Sequence, residues 1–148
     1  MIYIIGVDHI IQHKGYITNA KEKAIAEFQR YVCEKVENLQ ITLLAEEFSV
    51  DAVKGNGVSI STFGEVAEQE GIQHLFCDPG MAERKRLGVS HGIESSAERE
   101  AYWLEQLDRF RTESVIFVCG DSHVDSFLER LRSSGISSQI LSAGGAMN

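Results

Sequence analysis

Short apolar, β-branched runs alternate along the sequence with stretches whose apolar residues recur every three or four positions. Ile2–Gly6 is the first such run and predicts a strand covered on both faces. Asn19 with Glu22 marks a helix start, and Ile25, Phe28, Val32, Val36 and Leu39 supply its buried stripe. Ile41–Ala45 predicts the second strand, and Asp51–Ser61, containing Gly55-Asn56-Gly57, predicts a loop or hairpin-like excursion suited to a mobile flap. Thr62 and Glu65 form a capping-box pattern for a helix that Gly71 stops. Gln73–Cys77 predicts the third strand, broken by Asp78-Pro79-Gly80, and Met81–Gly92 predicts a short helix and a loop. Ser95 with Glu98 opens a further helix with Ala101, Leu104, Leu107 and Phe110 on one face. Ser114–Cys119 is the clearest buried strand. Ser122 and Asp125 cap a last helix bearing Phe127, Leu128 and Leu131, which Gly135 closes, and Ile136–Leu141 predicts a fifth strand.

Strand–helix alternation of this kind predicts an α/β fold: three layers, a mostly parallel sheet of about five strands, and helices on both faces. Residues 1–142 form a single α/β domain in this reading, with 143–148 as a frayed carboxyl-terminal tail. A length of 148 residues suits one domain with a real core and no need of metal or disulfide staples. The formal net charge of −8 argues against nucleic acid or an anionic membrane as partner, since both reward clustered Lys and Arg. Arg84-Lys85-Arg86 is too short a basic run to alter that. No apolar run approaches the roughly 20 residues of a membrane span, and no basic leader precedes Met1-Ile2-Tyr3-Ile4-Ile5, so a cytoplasmic protein is expected. Cys33, Cys77 and Cys119 are scattered and odd in number, which predicts reduced, buried thiols rather than a disulfide framework.

In an open α/β sheet, ligands bind beyond the carboxyl ends of the strands. Those ends are chemically rich here: Gly6-Val7-Asp8-His9, Ala45-Glu46-Glu47-Phe48, Cys77-Asp78-Pro79 and Cys119-Gly120-Asp121-Ser122-His123. Imidazole with carboxylate is a donor set for a divalent transition metal that lowers the pKa of bound water. The same residues also suit metal-free chemistry, with one His as general base and a Glu as acid or orienting partner. Asp121, Ser122 and Asp125 equally suit helix capping. Glu47, at the end of an apolar strand, must find a partner or bear a desolvation cost. Gly6 and Gly120 precede their histidines by three residues, where glycine permits a positive φ or a close backbone approach.

Taken together, Ile5-Gly6-Val7-Asp8-His9, Ala45-Glu46-Glu47-Phe48, Asp78 with Arg84 or Arg86, and Val118-Cys119-Gly120-Asp121-Ser122-His123 resemble the TraB/TIKI group, often joined with the erythromycin-esterase and ChaN-like proteins. The match runs from residue 2 to about residue 131. The resemblance implies an α/β fold with a site built from two histidines, a glutamate and an arginine. For some members it implies metal-dependent hydrolysis of peptide or ester bonds, and for others haem binding. Asp78-Pro79 stands where the family tends to place Asp-Arg, which leaves Arg84 or Arg86 to supply the arginine.

The expectation is therefore a metal-dependent hydrolase of peptide, ester or amide bonds acting on a small molecule or peptide. His9, Glu47, Asp78 and His123 would hold a divalent metal (Mn, Co or Zn), Glu46 or Asp121 would act as base, and Arg84 or Arg86 would steady the oxyanion. The alternative is a binding or interaction protein that takes a nucleotide, haem or metal in the same pocket without turnover. In the interaction form of that alternative, Tyr102 and Trp103, off the apolar stripe, would offer a partner or homodimer face.

Overall fold

The structure, a computed structural model, describes residues 1–8, 19–55, 60–88 and 96–142. Its strands are β1 (Ile2–Val7), β2 (Leu43–Glu46), β3 (Gln73–Phe76), β4 (Val115–Gly120) and β5 (Ser138–Ser142), paired in parallel in the order β3-β2-β4-β1-β5. Helices α1 (Asn19–Leu39), α2 (Val50–Gly55), α3 (Thr62–Glu70), α4 (Met81–Leu87), α5 (Ser96–Asp108) and α6 (Val124–Ser133) fill the crossovers. The three-layer α/β fold expected from the alternation is the one present.

Alternation along the strands divides the core in two. Ile5, Val7, Leu44, Ile116 and Val118 face α1 and α3, where they meet Phe28, Val32, Phe63 and Val66. Ile2, Ile4, Leu43, Ala45, Val115 and Phe117 face α5 and α6, where they meet Trp103, Leu107, Phe127 and Leu131. The central strand β4 has a strand on each side and a helical layer on each face, so all six of its residues are buried. Register leaves the carboxyl ends flush: Glu46 lies opposite both Phe76 and Val118, and Val7 opposite Gly120. Among the described residues no helix is long and apolar enough to cross a membrane.

Several local expectations are corrected. Of the segment read as a loop, residues 51–55 belong to α2, which begins at Val50; the Ser49 Oγ accepts from Ala52 N at 3.1 Å and caps the turn. Residues 56–59 of that segment lie outside the described part. The cap of α3 is Ser61, not Thr62: the Ser61 Oγ accepts from Gly64 N at 2.9 Å. The last helix has no side-chain cap from Ser122 or Asp125; a single 3-10 turn, Asp121–His123, leads into it instead. The buried face of α5 is Glu100, Trp103 and Leu107, rotated from the predicted stripe. Trp103 is fully buried and offers no partner face. Gly120 has an ordinary extended φ of −62°, so of the two options that glycine permits there, a positive φ or a close backbone approach, the first is not used.

The capping assignment makes a discriminating prediction. Ser61→Ala should destabilise the protein by about 1–2 kcal/mol or more, through the lost cap together with the lost hydrogen bond to the buried Glu46 carboxylate. The Thr62 hydroxyl is buried with no hydrogen-bond partner among the described residues, so Thr62→Val should be neutral or stabilising by up to about 1 kcal/mol. Urea unfolding of both variants reads the two signs, and the reverse order would restore Thr62 as the cap.

Candidate functional site

Strand pleating separates the two glutamates at the end of β2. Glu46 follows Leu44 onto the α1/α3 face, where its buried carboxylate accepts from the Ser61 hydroxyl at 2.6 Å and lies 2.5 Å from His74 Nε2. Glu47 turns to the opposite face, towards α5 and α6. Its Oε1 accepts from Gly120 N at 2.8 Å and its Oε2 from the Arg99 guanidinium.

Arg99 organises the rest of the edge. Its Nε donates to Asp78 Oδ1 at 2.9 Å, which Trp103 Nε1 also reaches at 2.9 Å. Asp78 Oδ2 accepts from Arg84 at 2.7 Å, and Arg84 Nε donates to the Pro79 carbonyl at 3.0 Å. On the other flank, His123 Nε2 stands 3.7 Å from Glu47 Oε2 while its Nδ1 lies 2.8 Å from Glu100 Oε2. Glu100 in turn accepts from the Ser126 hydroxyl at 2.8 Å and from Arg130 Nε at 3.1 Å. Groups of alternating sign, with His123 positive when protonated, thus run across the sheet edge in the order Arg84, Asp78, Arg99, Glu47, His123, Glu100, Arg130. Beside Asp78 and Arg84 lies a cavity of about 300 Å³, also lined by Ser49, Asp51 and Met81.

The electrostatics follow from this packing. The hydrogen bond to Glu100 raises the His123 pKa above its ordinary 6.5, against an opposing effect of burial, with the Glu47 charge adding to the rise. Burial works against the Glu100 charge, but the hydrogen bonds from His123 and Ser126 and the nearby cations prevail, and its pKa falls below the ordinary 4.5. Burial also opposes the charge of Arg99, and Asp78 and Glu47 more than compensate. Cys77 and Cys119 are buried free thiols whose pKa burial pushes up, so neither is poised as a nucleophile.

Of the residues singled out from sequence, Glu47, Asp78, Arg84 and His123 come together. Arg99 joins Asp78 to Glu47, and Arg84 joins the group through Asp78. Arg86 is exposed and paired with Glu83 at 2.6 Å, Asp121 is exposed at the start of the 3-10 turn, and Glu46 is on the other side of the sheet. His9 lies outside the described residues. Sequence reasoning missed Arg99 and Glu100. A signal was present: Glu100, Trp103 and Leu107 are spaced i, i+3, i+7, so a helix whose buried stripe includes Trp103 carries a carboxylate inward.

Among the described residues no group of three or more His, Cys, Asp or Glu side chains is arranged to hold a metal ion. Glu47 and Asp78 are instead bridged by a guanidinium, and their oxygens already accept from Gly120, Arg84, Arg99 and Trp103. The described residues alone therefore do not form a metal centre. No protein-family model matches the sequence, and neither a curated protein nor a solved structure does.

The two shifts set a pH window. The raised His123 pKa contributes stability that is complete below about pH 6.5 and is lost as pH rises through its folded-state value. The lowered Glu100 pKa contributes stability present above about pH 4.5 and lost as pH falls through its folded-state value. The contribution of this pair should therefore peak between roughly pH 4.5 and 6.5. Unfolding free energies of the wild type minus those of Glu100→Gln, measured from pH 4 to 9, should show that maximum, and a flat difference would contradict it.

Proposed function

We propose that the carboxyl edge of the sheet is a hydrolytic site for peptide, ester or amide bonds, in which His123 transfers the proton. The observation that carries this reading is an imidazole held between two buried carboxylates, with Nδ1 on Glu100 and Nε2 turned towards Glu47 without a hydrogen bond to it. A carboxylate only accepts, so the neutral ring places its hydrogen on Nδ1 and leaves Nε2 as the basic atom. Nε2 takes a proton from water as it attacks the carbonyl carbon. The resulting imidazolium is stabilised by both carboxylates and returns that proton to the departing alcohol or amine. Arg99 and Arg84 supply positive charge for the oxyanion as it forms, and Asp78 holds both in place.

A second reading brings in a divalent metal such as Mn, Co or Zn. Its support is that a carboxylate on Nδ1 is also the usual backing of a metal-bound imidazole. His123 Nε2 and Glu47 would then need His9 as a further ligand.

The test is a panel of activated esters and short peptide amides, assayed with the purified protein alone and with each metal. His123→Ala should lower kcat by about 100-fold or more, with the circular dichroism spectrum unchanged. Activity that needs a metal and is lost in His9→Ala would select the metal form. A wild type inactive under every condition, yet stabilised by a bound ligand, would replace hydrolysis with a binding role.

A further inference from the structure

We infer that Glu100 is a positioning residue for His123, and that Ser126 and Arg130 act through it as a clamp that sets the tautomer of the ring. The inference deepens the hydrolytic reading and rests on it. Glu100 occupies the buried stripe of α5 beside Trp103 and Leu107, where an apolar side chain would serve stability as well or better. Its two oxygens instead receive three groups from one short stretch of chain. Oε2 takes His123 Nδ1 and the Ser126 hydroxyl, and Oε1 takes Arg130 Nε. Ser126 and Arg130 are one helical turn apart on α6, so they approach the carboxylate from the same face. With both oxygens fixed, the carboxylate plane is fixed, and with it the direction of the ring.

A second observation points the same way. His123 ends the 3-10 turn with helical backbone angles (φ −98°, ψ −13°), and its side chain makes no capping hydrogen bond. The ring points to Glu100 instead and packs edge-on against Trp103, with centroids 4.9 Å apart. Its Nε2 makes no hydrogen bond among the described residues; the nearest acidic oxygen, on Glu47, is at 3.7 Å. The ring is thus held through Nδ1, with Nε2 on the side of Glu47.

Ring-nitrogen NMR of ¹⁵N-labelled protein, at a pH where His123 is neutral, reads the tautomer directly. The wild type should show the hydrogen on Nδ1. Glu100→Gln, whose amide can also donate, should shift the population towards hydrogen on Nε2 and lower kcat by about 100-fold with KM little changed. Arg130 is half-exposed beside a cavity of about 450 Å³ between α5 and α6, so Arg130→Gln should fold even if Glu100→Gln does not. It should broaden or shift the Nδ1 signal, and Arg130→Lys should restore it. A wild type protonated on Nε2, or a tautomer unmoved in both Glu100→Gln and Arg130→Gln, would overturn the inference. A protein that hydrolyses nothing but shows the Nδ1 hydrogen and its dependence on Glu100 would sink the hydrolytic reading and leave the clamp standing.

Discussion

The guanidinium of Arg99 is the group around which the carboxyl edge of the sheet closes. It binds Glu47 from β2 and Asp78 from the turn after β3, so one side chain ties two neighbouring strand ends to α5. Taking a carboxylate out of water costs several kcal/mol unless a partner compensates, and Glu47 is almost wholly buried. The Gly120 N–H and Arg99 meet both of its oxygens and offset that cost. The next residue on α5, Glu100, performs the converse service for His123 and Arg130. Two adjacent residues of one helix therefore satisfy the ends of β2, β3 and β4. That requirement fixes where α5 sits over the sheet.

Such an arrangement is an expensive way to hold a fold together, since apolar side chains of similar size commonly stabilise as well or better. Its placement is informative. The cluster lies at the carboxyl ends of parallel strands, where α3 after β2 and α6 after β4 lie on opposite faces of the sheet, the topological setting in which open α/β sheets commonly bind ligands. Among its members, His123 is the one whose charge changes near neutral pH, and its environment moves that change upwards. A shifted imidazole between fixed carboxylates, next to permanently charged arginines, is what supports the proposal of proton transfer at this edge.

The layers of this protein were legible in its sequence because the two periodicities are clean. Ile25, Phe28, Val32 and Val36 repeat at helical spacing, and Val115–Cys119 is unbroken, so burial decides both elements without help. The strand-end chemistry was legible for the same reason: once the strands are known, Glu47, Asp78 and His123 must share an edge. The choice between Glu46 and Glu47 was not open to pattern reading, because the face each presents depends on a register of a single residue. Nor was the rotation of α5, where Ala101, Leu104, Leu107 and Phe110 form an equally regular stripe. The true face includes Glu100, a charge that hydrophobicity alone assigns to solvent, and only the partners brought by α6 make its burial acceptable. Arg84 and Arg86 illustrate the same limit. They are two residues apart on a short helix, so they point in different directions, and only Arg84 reaches Asp78.

A double-mutant cycle between Glu47 and Arg99, read by urea unfolding of Glu47→Gln, Arg99→Met and the double variant, measures the interaction that holds the edge together. Each single variant should lose about 3 kcal/mol or more, and the double variant should lose much less than their sum, a coupling of about 2–3 kcal/mol. Additive losses with no coupling would mean that the two side chains do not depend on one another, and the closed edge of the sheet would have to be explained some other way.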